Sequence, residues 1–285
     1  MLAACLLAVA AGPARAADLA DTDARPVHYV ALGDSYTAGP GIPNQIPEAV
    51  GCGRSDHNYP HLVAAALEVD GFTDVSCGSA TTDHMTQPQP VPDGLNNAPQ
   101  LDALGPDVDL VTLGISGNDI GFGEIMATCM THSLLLPVTA PCRAHYTRDG
   151  DELGQRIEAT APKVAAVLAA IRARAPAARI LVVGYPVILP AAGPGCWPLV
   201  PIAVGDVAWL RTVEARLNAM LADQAAAAAA TFVDTYTSSI GHDVCQLPGR
   251  KWVEGLVPTA PAGLFHPNAL GMANTAQQVL ESVAI

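Results

Sequence analysis

The segment VHYVALGDSYTAG, residues 27–39, runs from an apolar stretch into a Gly-Asp-Ser turn. The apolar part, Val27–Leu32, is short and is followed by a glycine, a pattern that predicts a buried strand. Ser35 comes just after that strand, on a turn leading toward a helix, where α/β enzymes place an exposed nucleophile. If Ser35 is a nucleophile, the chain must also supply a base and donors for an oxyanion.

Further apolar runs predict more strands of the same sheet. The predicted strands are Val27–Leu32, Asp109–Leu113, Arg179–Val183 and Thr231–Asp234, with a weaker one at Thr73–Cys77. Apolar residues at helical spacing predict helices at Tyr59–Val69, across residues 153–171 with a kink at Pro162, from a cap at Asp206 through Leu221, and from Asn268 through Val283. This alternation predicts a parallel sheet covered by helices on both faces, in a single domain. Long loops are expected at residues 39–58, 79–105, 122–150, 185–205 and 236–266.

Composition restricts the partners and the compartment. The 285 residues carry a net charge of −13, which disfavours nucleic acid and anionic membranes as partners. An apolar start followed by Ala-Arg-Ala predicts a signal peptide over residues 1–16 and a mature domain over 17–285. Cys5 also fits a bacterial lipoprotein box, but the apolar run continues past it, which favours simple secretion. We therefore expect an extracellular protein.

The remaining cysteines are even in number, as expected of disulfides in an exported chain. They are Cys52, Cys77, Cys129, Cys142, Cys196 and Cys245. Several connectivities are open, and the sequence does not choose among them. We expect the sequential pairing, Cys52–Cys77, Cys129–Cys142 and Cys196–Cys245, because each bond would then tie down one long loop. No Cys-x-x-Cys or His-Glu-x-x-His spacing indicates a metal site.

Four short motifs, in order along the chain, resemble those of the GDSL/SGNH hydrolase family. They are Gly-Asp-Ser at Ser35, Cys-Gly-Ser-Ala around Gly78, Ser-Gly-Asn-Asp around Asn118, and Phe-His-Pro-Asn around His266. The resemblance covers most of the mature chain and is greatest to secreted, three-disulfide actinomycete lipases and esterases. It implies a three-layer, flavodoxin-like α/β/α sandwich. It also implies that Ser35 is the nucleophile, that His266 is the base, and that the Ser35 N–H, the Gly78 N–H and the Asn118 amide bind the oxyanion.

Two positions depart from the family pattern. Ser116 stands where the third motif usually has glycine, and Gly263 stands three residues before His266, where the fifth motif usually has aspartate. Some family members orient the histidine with a backbone carbonyl instead, so we expect a carbonyl at Gly263 to accept from His266 Nδ1–H. A carboxylate from elsewhere, Asp243 or Glu254, is the competing hypothesis.

The resemblance predicts a carboxylic ester hydrolase that acts on lipid-like acyl esters without metal or organic cofactor. For the apolar segments Leu134–Val138, Val187–Pro190 and Trp197–Pro201, local packing is the simpler interpretation of each one singly, and an acyl-chain groove is the alternative. Two alternatives are open: the same machinery acting on acetylated carbohydrates or phospholipids, and a secreted binding protein with an inactive hydrolase site. We expect a monomer with no transmembrane segment in the mature chain.

Overall fold

A computed structural model describes residues 27–92 and 96–283. The predicted signal peptide and Cys5 lie outside the described residues. A five-stranded parallel sheet consists of β1 (His28–Gly33), β2 (Gly71–Asp74), β3 (Leu110–Gly114), β4 (Arg179–Val183) and β5 (Thr231–Val233). The strands lie in the order β2-β1-β3-β4-β5. A separate two-residue ribbon pairs Gln89–Pro90 with Asn96–Asn97.

Helices cover both faces of the sheet, so the predicted three-layer sandwich is confirmed. They are α1 (Ser35–Ala38), α2 (Tyr59–Leu67), α3 (Phe122–Ser133), α4 (Pro141–Tyr146), α5 (Glu152–Arg174), α6 (Val204–Ala227), α7 (Thr235–Ser238) and α8 (Ala269–Val283), with 3-10 turns at Thr82–Met85 and Gln100–Ala103. Successive side chains of β1 point to opposite faces. Tyr29 and Ala31 pack with α2 and α8, whereas Val30 and Leu32 pack with α3, α5 and α6.

The strand order reverses between β1 and β3. The chain leaves β1 toward β2 on one side and leaves β3 toward β4 on the other, which opens a crevice at the carboxyl ends of these two strands. Ser35 follows β1, and the Ser-Gly-Asn-Asp motif follows β3. The topology alone therefore brings two of the four motifs to one crevice.

Two predicted features of the middle of the chain were wrong. Residues 122–150 are not an extended loop, since α3 and α4 lie within them. Pro162 neither breaks nor restarts α5, which continues from Glu152 to Arg174. Pro162 lies on the exposed face of the helix, where water can reach the carbonyl that the proline leaves unbonded. On the opposite face Ile157, Val164 and Leu168 are buried in the core, and this packing holds the helix together.

Asp206 caps a different helix from the one predicted. Helix α6 begins at Val204, so Asp206 lies in its first turn. The buried carboxylate accepts hydrogen bonds from the N–H groups of Cys142 at 3.0 Å and Arg143 at 2.8 Å. Both N–H groups belong to the first turn of α4. The cap residue of that helix, Ala140, has no side-chain atom that could accept a hydrogen bond. Asp206 therefore joins α4 to α6.

The disulfide bonds join Cys52 to Cys77, Cys129 to Cys142, and Cys196 to Cys245. The structure therefore has the sequential pairing. The second bond ties α3 to α4, and the first brings the loop after α1 against the segment that follows β2. Within the described part of the chain, no helix combines the length and the apolarity needed to cross a bilayer.

Replacing Asp206 by alanine should destabilise the fold, because two buried N–H groups would lose their acceptor. We expect Asp206→Ala to lower the free energy of unfolding by about 1–2 kcal/mol in urea denaturation. Asp223→Ala is the matched control, since Asp223 is an exposed aspartate on the same helix. Equal stabilities of the two variants would contradict the capping role.

Candidate active site

The nucleophile turn is held by close contact between the ends of β1 and β3. Gly33 ends β1, and a Cβ at this position would lie 2.6 Å from the Gly114 carbonyl oxygen, so no larger residue fits. The buried Gln100 side chain accepts from the Gly33 N–H at 2.7 Å and donates to its carbonyl at 2.9 Å. Asp34 then caps α1 by accepting from the Tyr36 N–H at 2.9 Å. Ser35 is the first residue of that short helix and is half-buried.

His266 lies beside Ser35. Its Nε2 is 2.7 Å from Ser35 Oγ, and its Nδ1 is 2.7 Å from the Leu264 carbonyl oxygen. Because a carbonyl can only accept, Nδ1 carries the hydrogen and Nε2 is left as the acceptor for the serine O–H. The two residues are 231 positions apart and form a serine–histidine pair in the geometry that general-base catalysis needs.

The acceptor for Nδ1 is not Gly263, as predicted, but Leu264. The Gly263 carbonyl instead accepts from the His266 backbone N–H at 3.2 Å, which closes a turn. Phe265 within this turn has φ +59°, a left-handed conformation that turns the chain and leaves the Leu264 carbonyl facing the ring. The acceptor is a backbone carbonyl, as predicted, but it belongs to Leu264, one residue after Gly263.

Neither competing carboxylate is the partner of Nδ1. Asp243 accepts from the Cys245 N–H and the Gln246 side chain. Glu254 lies in a buried cluster, where Lys251 Nζ is 2.9 Å and Asn268 Nδ2 is 2.8 Å from its carboxylate oxygens. The backbone of Glu254 nevertheless supports the base, because its N–H donates to the His266 carbonyl and its carbonyl accepts from the Phe265 N–H.

Of the three predicted oxyanion donors, Gly78 is the one that the structure contradicts. Its N–H donates to the Cys52 carbonyl at 2.7 Å, a contact enforced by the adjacent Cys52–Cys77 disulfide, so this donor is already used. The Ser35 N–H has no acceptor among residues 27–92 and 96–283. The Asn118 amide donates one hydrogen to the Ala80 carbonyl at 2.8 Å, which orients the second.

Ser79, one residue after Gly78, is a donor that sequence reasoning missed. It has φ +63°, a conformation that is uncommon outside glycine. Its N–H has no acceptor within the described ranges, and it lines the same groove as Ser35, Asn118 and His266. Backbone strain of this kind concentrates at functional sites. A serine at a left-handed position cannot be recognised from its sequence alone.

Tyr36 and Tyr185 also belong to the site, although the motifs do not include them. The Tyr36 hydroxyl donates to the Phe265 carbonyl at 2.5 Å, and its ring centroid lies 5.0 Å from that of His266. The Tyr185 hydroxyl donates to the Asp34 carboxylate at 2.6 Å and accepts from the Gly117 N–H at 2.7 Å. The Asp34 carboxylate thus holds the turn that carries Ser35. Tyr36 could have been found from the sequence, because it is adjacent to Ser35. Nothing in the sequence around Tyr185 indicated a role in the site.

The residues on either side of Asn118 hold its turn. Ser116 has φ +114°, which explains why the family usually has glycine there. Asp119 accepts from the Thr82 N–H and hydroxyl, so that Asn118 and Asp119 both bond to the segment of residues 80–82. Across the ranges that the structure describes, no group of three or more His, Cys, Asp or Glu residues is placed to hold a metal ion.

Burial shifts the pKa of two titratable groups of the site. It lowers the pKa of His266 below its usual range, although the Leu264 carbonyl, which favours the protonated ring, opposes the shift. The base is therefore neutral, and able to accept a proton, near pH 7. Burial also raises the pKa of Asp34 to about 7, against the opposing hydrogen bonds from Tyr185 and the Tyr36 N–H.

Two recesses meet at Ser35. One is an apolar cavity of about 70 Å³ between α3 and α6, lined mainly by aliphatic and aromatic side chains. The other is an open groove of about 440 Å³ that contains His266, Ser79 and the loop at Leu256. Ser35, Asn118, Phe122 and Met126 line both. A ligand bound at Ser35 can therefore extend in two directions, and only one of these is enclosed.

His266 should titrate below the value of about 6.5 of an unperturbed histidine. Its charged form loses solvation in the folded protein, so lower pH is needed to protonate it. Following the imidazole Cε1–H resonance by NMR against pH, with His266→Ala used for assignment, measures this pKa. A value at or above that of free histidine would contradict the assignment of a buried, neutral base.

A family model described as the GDSL-like Lipase/Acylhydrolase family matches residues 31–273. Among characterised relatives, Lipase 2 of Streptomyces coelicolor is 42% identical over 261 residues, covering 90% of this chain and 86% of that protein. An esterase of Streptomyces scabiei is 32% identical over 312 residues, covering 96% and 90%.

Solved structures agree with this relationship. Phospholipase A1 from Streptomyces albidoflavus NA297 superposes with a TM-score of 0.72 at 28% identity. An extracellular lipase from Streptomyces rimosus superposes with a TM-score of 0.70 at 29% identity. Each match covers 90% of this chain and 99% of the other. On the family match, the relatives and the shared fold, the chain belongs to the GDSL-like lipase/acylhydrolase family and is a serine ester hydrolase.

Proposed function

We propose that this enzyme is a secreted lipase or esterase that cleaves acyl esters through a covalent acyl-enzyme on Ser35. The observation that carries the proposal is the 2.7 Å contact between Ser35 Oγ and His266 Nε2 at the mouth of an apolar cavity. Three disulfides support export, since such bonds persist in oxidising compartments. The similar Streptomyces rimosus enzyme, an extracellular lipase, supports the same location.

The first half-reaction transfers the acyl group to the enzyme. Ser35 Oγ attacks the ester carbonyl carbon, and its proton passes to His266 Nε2. The tetrahedral intermediate collapses by breaking the bond between this carbon and the ester oxygen. The leaving alcohol takes the proton from His266, so that the ring returns to its neutral form.

The oxyanion binds three N–H donors: the backbone groups of Ser35 and Ser79, and the side-chain amide of Asn118. Ser79 replaces Gly78 in this set, because the Gly78 N–H is bonded to Cys52. A preorganised donor of this type is worth about 2.7–4 kcal/mol of transition-state stabilisation. Such donors compensate for the lack of a carboxylate behind His266.

The second half-reaction releases the acid. A water molecule attacks the acyl carbonyl carbon while His266 Nε2 accepts one of its protons, and the same donors bind the new oxyanion. Collapse breaks the bond to Ser35 Oγ, which regains the proton from His266, and a carboxylic acid leaves. No residue changes its oxidation state or needs a cofactor in this cycle.

The substrate class follows from the recesses. We assign the apolar cavity to the acyl chain, because its lining matches a hydrocarbon chain, and the open groove to the alcohol. This favours lipid-like acyl esters. Phospholipids are a second candidate class, supported by the similar Streptomyces albidoflavus enzyme, a phospholipase A1.

Replacing Ser35 by alanine should abolish acyl transfer. With p-nitrophenyl butyrate, we expect the native enzyme to release a burst of p-nitrophenol equal to the enzyme concentration when deacylation is slower than acylation. The Ser35→Ala variant should show no burst and a kcat lower by at least about 10³-fold. The measurement is stopped-flow absorbance.

The control for this variant is Ser282→Ala. Ser282 lies on α8, and its carbonyl accepts from the Arg179 side chain at the amino end of β4. The site lies at the opposite, carboxyl ends of the strands. The Ser282→Ala variant should keep full activity. Turnover by Ser35→Ala at the native rate would refute the proposed nucleophile.

The role of Ser79 belongs to its backbone, so its side chain should be dispensable. Ser79→Gly keeps the N–H and suits the left-handed conformation, and we expect an unchanged kcat/KM with p-nitrophenyl butyrate. Asn118→Ala, which removes a side-chain donor, should lower kcat by about 10²–10³-fold. A loss in Ser79→Gly as large as that in Asn118→Ala would show that the hydroxyl, not the N–H, takes part.

A further inference from the structure

Glu214 is an acidic residue in the wall of the apolar cavity. It lies on α6, and its helical neighbours Leu210, Val213 and Leu217 line the same cavity. The opposite wall consists of residues of α3, including Ile125 and Met126. A carboxyl group in such surroundings is uncommon, because burying it without compensation is costly.

The surroundings of Glu214 supply little compensation. One carboxyl oxygen accepts from the Ile188 N–H at 3.2 Å, and within the described ranges it has no salt bridge. Arg211, one turn earlier, donates instead to the carbonyls of Pro190 and Gly193. Tyr36 and Tyr236 are the titratable groups near the carboxyl, and burial raises the pKa of both phenols above their usual range.

These surroundings favour the neutral form of the carboxyl group over the charged one. Burial raises the pKa of Glu214 well above its usual range, and the hydrogen bond from Ile188 opposes this shift only in part. A neutral carboxyl group has an O–H that must donate. Water in the cavity can accept this hydrogen bond, as can an oxygen atom of a ligand, whereas a methylene group cannot.

The position of Glu214 in the cavity determines which substrates meet it. The α6 residues line the cavity but not the groove, whereas Ser35, Asn118 and Phe122 line both. An acyl chain that fills the cavity from Ser35 therefore contacts the α6 wall, whereas a chain too short to fill the cavity leaves the Glu214 carboxyl in contact with water.

We propose that Glu214 sets the upper limit of acyl chain length, so that the enzyme prefers short- and medium-chain acyl esters over long-chain ones. The proposal rests on the proposed function, since it assigns the cavity to the acyl chain. A plain chain that reaches Glu214 displaces the water from its O–H and leaves that donor unpaired. A chain that ends earlier, or carries an oxygen at that depth, avoids this cost.

The test is a series of p-nitrophenyl esters: acetate, butyrate, octanoate, laurate and palmitate. We expect kcat/KM of the native enzyme to fall between the medium and the long chains. Glu214→Leu should raise the ratio of kcat/KM for laurate to that for butyrate by about tenfold, equal to about 1.4 kcal/mol. Glu158→Leu, at an exposed position on α5, is the matched control and should keep the native profile.

A second measurement uses the native enzyme alone, in case Glu214→Leu does not fold. Laurate analogues in which one chain methylene is replaced by an ether oxygen should be better substrates than laurate when the oxygen lies beside Glu214. An unchanged chain-length profile in folded Glu214→Leu, or no oxygen position that improves on laurate, would overturn the proposal. Absence of turnover of the butyrate ester by the native enzyme, or native turnover in Ser35→Ala, would instead refute the proposed function.

Discussion

Buried hydrogen bonds around Asp34 hold the carboxyl ends of three neighbouring strands together. The Tyr185 hydroxyl, just after β4, donates to Asp34 after β1 and accepts from the Gly117 N–H after β3. One phenol thus couples the turn of Ser35 to the turn of Asn118. An unpaired buried polar group costs about 1–3 kcal/mol, so these strand ends cannot separate without penalty. Ser35 and Asn118, the proposed nucleophile and an oxyanion donor, therefore keep their relative positions while a substrate enters and leaves.

The base is held by backbone rather than by a carboxylate. The Leu264 carbonyl orients the ring, Tyr36 holds the Phe265 carbonyl, and the backbone of Glu254 pairs with both residues of the turn. A carbonyl dipole stabilises imidazolium less than a charged carboxylate would. In the same environment, burial keeps the imidazole neutral. The site therefore favours availability of the base over stabilisation of its protonated form, and the proposed oxyanion donors must carry more of the transition-state charge.

The distribution of polarity around Ser35 separates the two parts of an ester. The groove beside His266 is open and accommodates an alcohol of variable size, whereas the cavity between α3 and α6 excludes most polar groups from contact with the acyl chain. Glu214 interrupts that apolar lining. A single neutral carboxyl can discriminate among chains because an unpaired donor is costly only where water has been displaced. In our proposals, chemistry and selectivity thus depend on different elements, the strand ends and the wall formed by α6.

The sequence by itself determined the parallel sheet and its single domain, and it predicted Ser35, Asn118 and His266 as residues of one site. Buried strands and short motifs are local patterns, and parallel topology brings strand ends to one edge whatever lies between them. Only the tertiary structure decided which backbone groups are free. It assigned the Nδ1 acceptor to Leu264 and left the Gly78 N–H bonded to Cys52. Every residue has the same backbone N–H and carbonyl, so which ones face the site depends on φ, ψ and contacts between segments far apart in the chain.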